Sequence, residues 1–426
     1  MKKIMGLCFL IWVSRAGAET ISNSSGPLTL EACYRLALAR SESVGLSVED
    51  VRRGEAQYAQ LRSGVLPSVG FRATDKLQDV SGVPSGADHT IVRGDQFESA
   101  FYGKQTIFAG FREFAAMKGQ KEEIVARQES VTRAKILLYE DVASLFFTVA
   151  DRDREIESLK TLLRLSTDRV DELKKRVAIG RSRESEILST ESQSANLESR
   201  LELARGFREA ALSVLNTLLG IQATAIQDDQ PEAVPPASLD SYIERVARRP
   251  DVQSAESRRV SRHHFAASAR RIYWPTLDLS GNYYLKRVGA SEPIDWDALF
   301  ALNAPFYTGG QTQSLVRSAE SEERSATLQL SQVRREAEGE VRERHRNLLS
   351  LLSQIEKLKR SEDLAGRNYA AQQKEYRLGL VNNLDVLAAL STWQEAQSAL
   401  DTALLAAKNV KIRLELAAGH FMEVNP

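Results

Sequence analysis

The feature that most constrains this chain is an internal duplication. "RVAIGRSRESEILSTESQSANL" and "EYRLGLVNNLDVLAALSTWQEA" align with Gly180 over Gly379, an offset of 199 residues, and the same offset sets Gly220 over Gly419 and Gly110 over Gly309. A fixed register held across three glycines marks the second half as a copy of the first. Upstream the match continues with small gaps, "LTLEACYRLALARS" over "ASLDSYIERVARRP" and "LPSVGFRATD" over "WPTLDLSGNY". The duplication divides the chain into a first repeat at 19–221 and a second at 238–420. Residues 222–237 are a linker, since Pro231, Pro235 and Pro236 continue neither helix nor central strand, and 421–426 form a tail.

Within each repeat the apolar period changes twice. Leu28 to about Ser63 is helical in pattern. After Pro67 the residues alternate, with Val69, Phe71 and Ala73 opposite Ser68, Arg72 and Thr74, and then Phe97, Phe101 and Ile107 opposite Glu98, Lys104 and Thr106. The second repeat sets Leu277, Leu279, Tyr283 and Leu285 against Asp278, Ser280, Asn282 and Lys286. It then sets Ile294, Trp296, Ala298, Phe300 and Leu302 against Asp295, Asp297 and Asn303. Alternation predicts half-buried strands of about ten residues, the length that crosses a tilted barrel wall. Tyr102, Lys104, Asn282 and Lys286 are expected toward barrel water or the rim, and Phe101, Leu279, Tyr283 and Phe300 toward lipid. A soluble sheet packed on helices is the alternative. Four strands do not close a barrel, and open edges in lipid leave backbone groups unpaired, so several chains must contribute to one barrel.

Gly110 and Gly180 are 70 positions apart with no proline between them, as are Gly309 and Gly379. A helix of that length reaches roughly 105 Å. Val142, Leu145, Val149, Arg152, Ile156, Leu159, Leu163, Ser166, Val170, Leu173 and Val177 follow a 3-4 spacing. The offset carries the later ones onto Ile355, Leu358, Glu362, Ala365, Tyr369, Gln372 and Tyr376. This is coiled-coil patterning with polar interruptions. It suits helices packed around water and equally an ordinary solvated coiled coil.

The N-terminus reads as a secretion signal: Lys2 and Lys3, the apolar run Ile4 to Val13, and Ala16-Gly17-Ala18 as a cleavage site, giving a signal segment at 1–18. Cys8 lies inside the apolar run without the small residue that precedes a lipidated Cys. Cleavage leaves Cys33 alone, so no intrachain disulfide is expected. It also takes Lys2, Lys3 and Arg15 from a chain with 57 basic and 57 acidic side chains, leaving a net charge of −3. That balance gives no case for nucleic-acid binding. No apolar run reaches the length of a membrane helix, although a β-barrel remains open to a secreted chain.

Together these features resemble the TolC-like outer-membrane efflux proteins, over nearly all of the chain from "LTLEACYRLALARS" to "LELAAG". The most specific part is "YRLGLVNNLDVLAALSTWQEAQSAL", with "NAPFYTGGQTQSLVRSAE" as a second marker. The resemblance implies a mainly α fold with β. A homotrimer would build one twelve-stranded transmembrane β-barrel from four strands per chain, above a cylinder of twelve helices in the periplasm of a Gram-negative cell. It implies a periplasmic adaptor and an inner-membrane ABC or proton-driven transporter as partners, with type I protein secretion or multidrug efflux as the task. It carries a periplasmic tip and adaptor contact onto Gly180, Arg181 and Ser182 and onto Gly379, Leu380 and Val381. Asp385 matches the first acid of a closed aperture, while Ala388 stands where some members have a second.

Bland readings sit beside these. Glycine at a helix end supplies a left-handed turn, and Asp385 would cap the returning helix. Glu186, at the position equivalent to Asp385, is preceded by Arg181, Arg183 and Glu184; this charged tip either forms gating salt bridges or is a solvated helix start, the reading that weighs more. Adjacent His263 and His264 make a poor ligand pair, no nucleotide loop or nucleophile elbow is present, and neither an enzyme nor a cofactor is expected. A periplasmic adaptor or a structural coiled coil is the competing class. The absence of a lipidation site favours protein secretion or a multipurpose channel by analogy only.

Overall fold

The computed structural model describes residues 26–79, 94–288 and 291–420. The expected signal segment, the polar loop 80–90 with His89, and the tail 421–426 lie outside the described residues. Among the described residues no helix is long and apolar enough to cross a membrane.

Both halves run through the same order of elements. The first has α1 (Leu30–Arg40), α2 (Glu42–Ser63), β1 (Ser68–Leu77), β2 (Asp95–Phe108), α3 (Arg112–Ala178) and α4 (Glu184–Leu219). The second has α5 (Leu239–Val246), α6 (Pro250–Arg270), a 3-10 turn, β3 (Thr276–Arg287), β4 (Trp296–Asn303), α7 (Gln311–Leu378) and α8 (Asn383–Ala417). The helical stretch expected from Leu28 to Ser63 is two helices, because Ser41 turns extended and caps the second through Val44 N–H. In the second half Pro250 makes the same break as the first residue of α6.

All six register glycines have positive φ, between 61° and 78°. Phe111 also has a positive φ, 58°, at the position equivalent to Gly310. A left-handed phenylalanine is strained. Arg271 Nη1 donates to its carbonyl at 2.8 Å, and Phe108 and Phe114 pack against its ring.

The stripe read along α3 is the buried one: Val142, Val149, Ile156, Leu159, Ser166, Val170 and Leu173 are all buried. Ser166 in this stripe bonds to Ser194 at 2.7 Å, and Glu362 in the equivalent stripe of α7 accepts from the Trp393 indole at 2.9 Å. Three core clusters result. One joins α1, α3 and α4 around Tyr34, Phe146 and Leu215; another joins α5, α7 and α8 around Val341, Leu348 and Leu414. The third lies at the far end of the long helices, around Leu159, Leu173, Tyr369 and Leu390.

Arginine closes each half in the same way. Arg40, at the end of α1, donates to the Gly220 carbonyl at the C-terminus of α4. Arg249, in the equivalent place before α6, donates to the Ala417 carbonyl at 3.0 Å at the end of α8. A cation there also meets the negative end of the helix dipole.

The four strands form one antiparallel meander in the order β1-β2-β3-β4. Pairing sets Phe71 beside Phe101, Phe101 beside Tyr283, and Tyr283 beside Trp296, an aromatic row on one face that Leu279 and Phe300 extend. The opposite face carries Gly70, Tyr102, Asn282 and Asp297 in one row. Its polar groups bond to each other: Asn282 Nδ2 to Asp297 at 2.9 Å, Tyr284 OH to Asp297 at 2.6 Å, and Arg287 to Glu98 at 3.1 Å.

Two irregularities correct the simple alternation. Between Tyr284 and Lys286 the register shifts, so that Leu285 is the extra residue and Lys286 pairs with Ser99. Lys286 therefore lies on the apolar face, its Nζ 5.4 Å from the Phe97 ring centroid, and not on the polar face where alternation placed it. A bulge of this kind exchanges the faces of every residue beyond it. A second shift makes Ile107 the extra residue and brings Phe108 opposite Leu277. The last strand starts at Trp296 and not at Ile294, because Ile294 N–H closes a turn onto Ser291 after Pro293.

About midway along the long helices, an ion network joins the halves. Glu140 of α3 accepts from Arg344 of α7 at 2.7 Å and Arg413 of α8 at 2.6 Å. Arg344 also meets Glu340, which meets Arg249, which is held by Asp251. Burial pushes the Glu140 carboxyl up, but the Arg413 and Arg344 bonds and charges hold it below the usual range. Its stabilising contribution is therefore present above the unfolded value, 4.5, and is lost as pH falls through the depressed folded value. Glu140→Ala should destabilise the solubilised protein by about 2–3 kcal/mol at pH 7, less than a fully buried pair because Arg413 is partly exposed. Thermal melting at pH 7 and pH 3 checks this, with the difference from wild type shrinking at the lower pH.

Candidate functional site

The far end of the long helices gathers every site residue singled out in the sequence. Gly180 ends the α3 side with φ 69°, and Gly379 ends α7 with φ 78°. Arg181 N–H reaches back to Arg176 O at 2.8 Å, and Leu380 N–H to Glu375 O at 3.0 Å, so both turns share the six-to-one helix closure. Nothing lies within 4 Å of where a Cβ would stand on either glycine. The requirement is thus for a left-handed backbone and not for space.

The return helices start differently. Asn382 and Asp385 form a reciprocal capping box: Asp385 accepts from Asn382 N–H at 3.1 Å, and the Asn382 side chain accepts from Asp385 N–H at 3.0 Å. Arg183 occupies the equivalent cap position of α4 and makes no such bond. Glu186 accepts instead from Ser182 Oγ at 2.5 Å and from Tyr376 OH of the other hairpin at 3.1 Å. Of the two readings of this tip, the gating salt bridges among Arg181, Arg183, Glu184 and Glu186 do not occur among the described residues. Hydroxyls take the Glu186 carboxylate, while Arg181 and Arg183 point to solvent. Leu380 is exposed and Val381 packs against the adjoining core.

The residues that bind the hairpins together escaped the sequence reading. Arg169 of α3, 8% exposed, donates through Nε to Asn383 Oδ1 of α8 at 3.0 Å. Asn383 in turn donates to Thr190 of α4 at 2.8 Å. The Tyr376 ring lies under two guanidinium groups, Arg169 at 3.7 Å and Arg176 at 4.7 Å from its centroid. Glu172 binds both arginines, at 2.7 and 2.9 Å. Burial raises the Glu172 carboxyl, but Arg169 and Arg176 together bring it below its ordinary value. One signal was present. Arg169 lies three residues after Ser166 and four before Leu173, within the inward stripe, where a charge needs a partner.

The arrangement holds no nucleophile–base pair, and no metal-binding group of acids, cysteines or histidines occurs among the described residues. It offers a polar, reversible junction between two hairpin ends. Far from it stands a four-stranded sheet, apolar on one side and polar on the other, with helices about 100 Å long between them. That combination defines the subunit of an outer-membrane channel with a long helical extension.

Comparison with known proteins agrees. The family model described as outer membrane efflux protein matches residues 33–221 and 244–420. The chain belongs to the outer membrane efflux protein family, and is an outer-membrane channel subunit that extends into the periplasm. It is 22% identical over 345 residues to outer membrane protein OprJ of Pseudomonas aeruginosa, covering 77% of this chain and 69% of the relative. It is 24% identical over 272 residues to the pyoverdine export outer membrane protein OpmQ of the same organism, covering 60% of this chain and 56% of the relative. Among solved structures, CusC superposes with a TM-score of 0.81 at 18% identity, covering 91% of both chains. VceC of Vibrio cholerae gives 0.79 at 20% identity, covering 92% of this chain and 96% of that one.

If the Tyr376–Glu186 bond ties the hairpins, Tyr376→Phe and Glu186→Gln should each destabilise the assembly, and the double variant should be less than additive. A coupling of about 1 kcal/mol in a thermal double-mutant cycle is the expected result. Additive effects would show that the contact carries no energy.

Proposed function

We propose that three copies of this chain close one twelve-stranded barrel and form the exit duct of a tripartite export system. The observation that carries this reading is the sheet itself. β1 and β4 each pair on one side only, and the apolar face bears Phe71, Phe101, Tyr283, Trp296 and Phe300 in exposed positions. An open sheet in lipid leaves its edge amides and carbonyls unpaired, and copies joined edge to edge remove that penalty. A periplasmic adaptor then engages the helix turns at Gly180–Ser182 and Gly379–Val381, and an inner-membrane transporter supplies the energy. Small molecules are the cargo we favour, on the likeness to a relative named for pyoverdine export.

In this reading the junction of Arg169, Tyr376, Glu186 and Asn383 keeps the tip closed, and three Asp385 carboxylates line the aperture. The capping box leaves Asp385 exposed, with lone pairs still facing outward. Cap and aperture are compatible roles for one carboxylate, and a ring of three favours cations.

The duct is tested by cysteine substitution in outer-membrane vesicles. Tyr102→Cys and Lys104→Cys should react with a water-soluble thiol reagent, and Phe101→Cys and Phe300→Cys should not; equal labelling would overturn the barrel. The aperture is tested in planar bilayers. Asp385→Asn keeps a capping oxygen and removes the charge, so block by multivalent cations should weaken while helix stability stays within about 0.5 kcal/mol. Unaltered selectivity and block in that variant would leave Asp385 a helix cap alone.

A further inference from the structure

We propose that Lys286 is an outward-facing anchor for the phosphate groups of the outer-leaflet glycolipid; this rests on the barrel reading above. The bulge at Leu285 decides the matter. Lys286 and Arg287 are consecutive basic residues near the end of β3 remote from the helices, and without the bulge Lys286 would face the polar side and Arg287 the apolar side. With it, Arg287 turns inward to Glu98 at 3.1 Å. Lys286 turns outward, is exposed, and has no carboxylate partner among the described residues. Its ammonium lies over the Phe97 ring, so the aliphatic stem covers apolar surface while the charge stays at the rim.

Height along the strand fits a headgroup phosphate. The row of Leu277 and Phe108 begins the apolar face next to the helices, and Lys286 stands about eight register steps above it. At about 3.4 Å per step and a tilt of about 40°, that is roughly 21 Å, just under the top of an apolar band about 25 Å tall. The row immediately below on this face is Phe71, Phe101, Tyr283 and Trp296, the aromatic girdle that marks a membrane boundary. The acids on this face stand farther out, Asp75 two positions beyond Ala73 in β1 and Asp95 opposite Leu77. The first charge above the girdle is therefore a cation, at the level where the lipid phosphates begin.

The experiment measures retention of lipid A carrying both phosphates, of the same lipid dephosphorylated, and of phosphatidylglycerol, on the purified full-length assembly in mild detergent. One lysine at an anionic surface predicts about fivefold weaker retention of phosphorylated lipid A for Lys286→Gln. Dephosphorylated lipid should bind wild type and variant alike, Lys286→Arg should behave as wild type, and Lys104→Gln, on the polar face, should change nothing. Equal retention by wild type and Lys286→Gln would overturn the proposal, and so would an equal loss in Lys104→Gln. A preference for phosphatidylglycerol over lipid A would overturn the glycolipid as the source.

Should the glutamine variant fail to assemble, Lys286→Cys converted to aminoethylcysteine restores the cation. Cys33 is buried, with its thiol pushed up to about 12, and does not compete for the reagent. Regained retention supports the anchor, and an intact assembly without regain overturns it. Failure of the barrel reading looks different: the chain would leave membranes on an alkaline wash, and no threefold species would form in any variant.

Discussion

The constraint on which the rest of this structure depends is that backbone amides and carbonyls must be paired wherever water is absent. A sheet of four strands has two outer edges, and among the described residues no strand pairs with them. The duplication supplies only half of the remedy. It brings β2 of the first repeat against β3 of the second, so the two hairpins share one continuous sheet. The edges that remain, on β1 and β4, are where the proposed threefold assembly would close. Membrane insertion and oligomerisation then become a single event, because the apolar face has no stable place until the edges are paired.

Below the sheet the two helical hairpins meet along α3 and α8, and they are fastened at the two ends of that seam. At the upper end the fastening is ionic and partly buried, through Glu140, Arg344 and Arg413. At the lower end it is a mixed junction of hydrogen bonds and cation–π contacts around Arg169 and Tyr376. Between them Thr402 of α8 donates to Asp151 of α3 at 2.9 Å. Asp401 of α8 is pushed up by burial and by the charges of Asp151 and Glu362, with Arg154 opposing. A small cavity of about 170 Å³ lies beside it.

The parts of this fold legible in the sequence were those set by backbone conformation and by long periodicity. The register glycines at 110, 180, 220, 309, 379 and 419 were readable because a left-handed turn admits few other residues, and each has that conformation. The α3 stripe was readable because about ten turns of helix, from Val142 to Val177, average out its polar interruptions. The bulges were not readable: one extra residue in a ten-residue strand changes the facing of Lys286 while leaving the apolar and polar letters alternating. The tip junction escaped for a related reason. Tyr376 satisfies the stripe as an ordinary apolar residue, and its contact with Arg169 joins positions over two hundred residues apart. Arg40 and Arg249 escaped because a gapped alignment pairs them, outside the constant offset of 199.

Duplication places the same backbone turn at both tips, and the side chains then part ways. Asp385 spends its carboxylate on its own helix, in a local capping box that would survive separation of the hairpins. Glu186, its counterpart, leaves its helix uncapped and accepts from Tyr376 of the other hairpin, a bond that separation would break. Uncapping forgoes about 1 kcal/mol of local stability, which the Ser182 contact and the bond to the other hairpin offset together. The second return helix is tied across the seam as well, through Asn383 to Arg169 and Thr190, but its capping box is complete without that contact. Parting the tips would thus cost α4 its Tyr376 bond and α8 its Asn383 bonds, and leave only α8 with a side-chain cap. The two halves, alike in backbone, differ in how the start of the return helix is held: by its own capping box in the second, by hydroxyl contacts in the first.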